Sequence, residues 1–121
     1  MIILSLVLAH LVGDFYWLND EKVKTNGQRL SRHVGQHFLL TFLTLLLLYL
    51  FSEHSQQFFF QVVGATAALG LMHYVIDRSK LIFSARIQKR VNRNRLELAL
   101  FIVDQLLHFA AILLVCVLFF Q

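Results

Sequence analysis

The sequence predicts an all-α integral membrane protein, an up-and-down bundle of four helices, and three observations carry that prediction. Of its 121 residues 58% are hydrophobic and none is proline, and the mean hydropathy is +0.66. A soluble domain of this size could not bury so much apolar surface. Four mostly apolar runs, about residues 2–18, 33–51, 58–83 and 96–120, come close to or exceed the ~18 residues that cross roughly 30 Å of hydrocarbon. The runs are rich in Leu and lack period-two alternation, so they read as helices, which satisfy their own backbone in lipid. Finally, all eleven Lys and Arg fall in two stretches, from Lys22 to Arg32 and from Arg78 to Arg95. The whole chain, 1–121, reads as one transmembrane domain.

Run one starts at Met1 without a charged flank and ends without a small-residue cleavage site, so a retained helix is expected. Tyr16 and Trp17 suit an interfacial aromatic belt. The polar segment 19–32 follows, with Lys22, Lys24, Arg29 and Arg32 and the turn signal Asn26-Gly27. Run two is dominated by Leu. The link 52–57 carries Glu53 as its one charge, and His54 within it reads as a solvated loop residue. Run three holds Gly64, Ala65, Ala67, Ala68 and Gly70, small residues that let membrane helices approach closely. The basic segment 84–95 leads into run four, where Ala110-Ala111 is again suited to close packing and the lone Cys116 reads as a packing residue. These small-residue faces also suit a homo-oligomer.

Short loops rich in Lys and Arg stay cytoplasmic. The basic loops 19–32 and 84–95 are therefore expected in the cytoplasm, with both termini outside, in a bacterial inner membrane. The net charge of +4 is explained by this topology and by attraction to lipid headgroups, so the bilayer is the expected partner and nucleic acid is not.

Within this apolar chain the ionisable residues are paired. His10/Asp14, His33/His37, His73/Asp77 and Asp104/His108 each stand four apart, hence on one helix face. The topology brings all four pairs to one level, most of them within roughly 5 to 20 Å of the inner interface at 1.5 Å rise per residue. An aspartate in that setting is disfavoured by about 2.5–3.5 kcal/mol, so intramembrane ionisable groups face the bundle interior and mark function. Imidazole with carboxylate suits zinc first, with iron or manganese next. The expected cofactor is two divalent ions: they bring four positive charges to the three of Asp14, Asp77 and Asp104, and one bridging hydroxide completes the balance. Paired ions activate water and clamp the oxygens of a phosphoester, so the expected function is hydrolysis of a phosphoester or another lipid-linked substrate. The catalytic group would be a metal-bound hydroxide.

Thr41, Gln36, Gln105 and Thr66 are candidates to orient the ligands, and Lys80 is placed to meet a substrate anion at the cytoplasmic mouth. A metal-ion transporter or carrier subunit is the alternative function. Haem or quinone binding by facing histidines is a further one. Whether His33 lies inside the membrane is left open by the polar stretch before it.

The segments Ala9-His10-Leu11-Val12-Gly13-Asp14-Phe15, His73-Tyr74-Val75-Ile76-Asp77 and Asp104-Gln105-Leu106-Leu107-His108 resemble those of a bacterial membrane family of unknown function, domain-of-unknown-function family 3307. The resemblance covers nearly the whole chain and implies a membrane protein without implying an activity. More distantly the pattern is similar to membrane-bound metal-dependent hydrolases, whose His and Asp residues also sit in helices.

Overall fold

The computed structural model describes residues 1–16, 27–52, 55–87 and 93–120. Among them are four helices and no strand: α1 (Ile2–Tyr16), α2 (Gly27–Leu50), α3 (Gln56–Ile87) and α4 (Arg93–Phe119). The stretches Leu30–Leu50, Gln56–Arg86 and Arg95–Phe119 are long and apolar enough to cross a membrane, whereas Ile2–Phe15 is apolar but shorter.

Contacts between named residues fix the topology. Between α2 and α3, the ring of Tyr49 meets Phe58 and that of His37 meets His73. Between α3 and α4, His73 meets His108 and Lys80 meets Asp104. Between α4 and α1, His108 meets His10 and Gln105 meets Asp14. Between α1 and α2, His10 meets His37 and Asp14 approaches His33. In every pair the numbering rises on one helix as it falls on the other, so all four neighbours are antiparallel and the bundle runs up and down.

The helices extend beyond the apolar runs. α2 begins at Gly27 where the sequence suggested 33, α3 continues to Ile87 past 83, and α4 starts at Arg93 ahead of 96. Hydropathy marks where apolar character stops, not where the backbone stops hydrogen bonding, and Gln and Arg are good helix formers. Leu30, 1% exposed, is buried within the first turns of α2. The expected basic loops are shortened accordingly, and Trp17, Lys22, Lys24, Asn26, Glu53, His54, Lys89 and Arg90 lie outside the described residues. On the α2–α3 side, Ser55 Oγ accepts a hydrogen bond from Phe58 N–H at 3.1 Å and caps α3.

One half of the bundle interior is apolar. Leu6, Leu45, Val62, Ala65, Leu69, Ile112, Val115 and Cys116, drawn from all four helices, form a continuous buried layer. Thr44 and Thr66 return their hydroxyl hydrogens to the carbonyls of Leu40 and Val62, both at 2.8 Å, so neither leaves an open polar group there. The outer surface is also apolar, with Leu4, Leu47, Leu71, Leu106 and Leu118 each more than half exposed.

Candidate metal centre

The other half of the interior is polar. Each helix turns one i, i+4 pair inward: His10/Asp14 from α1, His33/His37 from α2, His73/Asp77 from α3 and Asp104/His108 from α4. Seven of these eight residues are 3–6% exposed overall, and the His10 side chain is 11% exposed. His33 therefore lies within α2 and faces the bundle interior. The bundle can close around these rings because α1 carries a buried glycine beside them. A Cβ on Gly13 would overlap the His37 ring, standing 2.8 Å from Nδ1 and 2.9 Å from Nε2.

The five imidazoles form one cluster, with ring centroids 4.1 Å apart for His37/His73, 4.3 Å for His73/His108 and 4.6 Å for both His10/His108 and His33/His37. Their Nε2 atoms converge on two carboxylates. Asp14 has His37 Nε2 at 3.2 Å, His10 Nε2 at 3.5 Å and His33 Nε2 at 3.6 Å. Asp77 has His73 Nε2 at 3.5 Å, His33 Nε2 at 3.6 Å and His108 Nε2 at 3.9 Å. Among the described residues none of these five buried Nε2 atoms makes a hydrogen bond. Buried polar atoms are normally satisfied, so five orphans in one cluster call for a bound species.

A divalent transition metal fits. With zinc–nitrogen and zinc–oxygen bonds of about 2.0–2.1 Å, tetrahedral donors stand about 3.3 Å apart, close to the 3.2–3.9 Å separations found. Among the described residues two groups have donor atoms all within 4.8 Å of one another: Asp14, His33, His37 and His73, and His73, Asp77 and His108. His73 stands in both groups, so two ions would divide the donors into Asp14/His33/His37, with His10 beside Asp14, and His73/Asp77/His108.

Supporting bonds hold several donors in place. His108 Nδ1 lies 2.8 Å from the Asp104 carbonyl oxygen. Donation of the Nδ1 hydrogen to that oxygen leaves the Nε2 lone pair toward the cluster, the arrangement metal-bound histidines use. Gln105 Nε2 donates to Asp14 Oδ2 at 2.6 Å. Thr41 lines a small cavity of about 30 Å³ with His10, His37, His73 and His108, roughly the room for one water. Gln36 is half-buried on α2, and Thr66 spends its hydroxyl hydrogen on its own helix.

Asp104 and Lys80 depart from the sequence expectation. Lys80 Nζ donates to Asp104 Oδ2 at 2.6 Å, with side-chain exposures of 20% and 2%. Lys80 is thus the counter-ion of a buried aspartate and not a cation waiting at the mouth, and Asp104 stands behind His108 instead of among the converging donors. The antiparallel register of α3 and α4 carries the signal for this pair, since it sets the turn after Asp77 beside Asp104. Gly13, the other residue overlooked, is marked by a second small residue, Ala9, four positions before it on the same face of α1.

No curated protein and no solved structure matches the chain. The model of the family described as Protein of unknown function (DUF3307) matches residues 2–121, so the chain belongs to that family.

Proposed function

We propose that this is an integral membrane protein that holds two divalent metal ions, zinc first, at the His/Asp end of its bundle and hydrolyses a phosphoester with them. Membrane insertion is supported by the apolar outer surface and by the three long helices. Exposure of Arg32, Arg78, Arg86 and Arg95 near the His/Asp end supports the reading that this end faces the cytoplasm, with both termini outside, in a bacterial inner membrane.

The observation that carries the metal reading is the convergence of five unbonded Nε2 atoms on Asp14 and Asp77. Lys80 changes the charge balance. With Asp104 neutralised, Asp14 and Asp77 bring two negative charges against four positive ones, and the surplus of two matches a phosphate dianion. Paired divalent ions supply the Lewis acidity that phosphoester hydrolysis needs. The chain's own part is to fix those ions, to hold Asp14 through Gln105, and to exclude water with the apolar layer beneath.

That same layer speaks against a transporter, because Leu6, Leu45, Val62, Leu69, Ile112 and Val115 fill the path to the other face. A cavity of about 30 Å³ beside the rings leaves no room for a haem macrocycle. The test is phosphate release from a panel of phosphomonoesters and diesters by detergent-purified protein, stripped with a chelator and reloaded with zinc. Activity should return with zinc and be lost in His37→Ala. A zinc-loaded protein that is inert on the panel yet carries zinc into liposomes would establish the transporter reading instead.

A further inference from the structure

We propose that the cleft between α1 and α4 is the hydrocarbon-chain subsite of this centre, taking a phosphate-headed amphiphile with one long apolar chain sideways from the bilayer. The assignment of the head group rests on the hydrolase reading above. The cleft measures about 320 Å³, within the ~300–1,000 Å³ of small-molecule sites. Its walls are Val7 and Leu11 on α1 with Phe101, Ile102, Leu106, Phe109 and Ile112 on α4. It runs along about 16 Å of α4 at 1.5 Å per residue. In hydrocarbon such a cleft fills with chain, not water.

Two features tie it to the centre. Its polar lining residues are His10 and Gln105, and both meet Asp14, His10 Nε2 at 3.5 Å and Gln105 Nε2 at 2.6 Å. His10 also lines the small cavity beside the other rings, and its 11% side-chain exposure exceeds the 2–7% of the other centre residues. α1 and α4 are moreover the most loosely packed neighbours in the ring. A chain lying in the cleft therefore delivers its head group against His10, where the surplus positive charge of a loaded centre complements a phosphate dianion. A short, water-soluble phosphoester would gain nothing from these apolar walls.

The experiment is photo-crosslinking of zinc-loaded protein in phosphatidylcholine nanodiscs, with a long-chain alkyl phosphate carrying a diazirine in mid-chain. Labelling should map to α1 and α4 at the cleft, and dodecyl phosphate should compete where dodecanol does not. Leu106→Trp fills the cleft from a side chain 62% exposed. Excluding even two methylenes should lower labelling about tenfold. Leu114→Trp, also lipid-facing on α4 but outside the cleft, should leave labelling unchanged. Labels spread evenly over the outer faces of all four helices, labelling indifferent to Leu106→Trp, or equal competition by the alcohol would each overturn the assignment. Zinc content separates the two readings. A scattered pattern on fully loaded protein removes the cleft and spares the centre, whereas cleft labelling on protein that cannot hold zinc removes the centre and with it the place given to the phosphate.

Discussion

Gly13→Ala isolates the centre from the fold. The added methyl would stand 2.8 Å from His37 Nδ1 and 2.9 Å from Nε2, against the 3.5–4.0 Å of an unstrained contact between heavy atoms. The ring must retreat by roughly 1 Å. It has nowhere easy to go, with the His73 ring 4.1 Å away, the His33 ring 4.6 Å away and Asp14 Oδ1 3.2 Å from Nε2. Metal sites require ligand distances held within about 0.2 Å, and disturbing what positions a ligand typically costs 10–100-fold in affinity. The same substitution favours the helix itself by about 1 kcal/mol. Zinc affinity should thus fall about 10–100-fold, measured by competition with a chromophoric chelator, while helical content by circular dichroism holds steady. Gly35→Ala is the control, since a Cβ there meets nothing within 4 Å, and it should bind zinc as wild type does. Equal affinities for Gly13→Ala and wild type would refute the placement of His37 as a ligand.

Other perturbations separate the remaining parts. Lys80→Met strands the buried Asp104 carboxylate, and breaking a buried pair costs about 3–5 kcal/mol; Asp104→Asn in the same chain should restore most of that loss in a denaturation series in mixed micelles. Gln105→Ala removes the 2.6 Å bond to Asp14 and should weaken zinc binding about tenfold or more with little change in unfolding, read by the same chelator competition. Leu45→Ala, at a fully buried position of the apolar layer, should cost about 2 kcal/mol or more of stability yet leave the zinc content of the surviving folded protein at the wild-type level.

The clustering of the four pairs is legible in the sequence because helical periodicity does the sorting. Residues four apart share a face whatever the tertiary packing, so each pair could be read as one inward polar face. Alternation of basic and non-basic connections then put the pairs at one level. What could not be read is which carboxylate each imidazole meets, since that depends on the rotation of each helix about its axis. His33, standing 3.6 Å from both Asp14 and Asp77, is the clearest case. Lys80 looked like a cation at the mouth because its spacing from His73 was visible and its partner across α3 and α4 was not. The start of α2 was misjudged for a different reason. Gln28, Arg29, Ser31 and Arg32 are polar and look like loop, while the burial of Leu30 among them is a tertiary feature that hydropathy does not show.

The metal reading is tested most directly by the metal content of protein purified in detergent, by elemental mass spectrometry, for wild type and for His73→Ala, a residue shared by both donor groups. Wild-type protein should hold two equivalents of a divalent transition metal, zinc foremost, per chain, and His73→Ala about one at unchanged helical content. Wild-type protein holding less than about half an equivalent of any transition metal, after reconstitution with excess zinc, would contradict that reading.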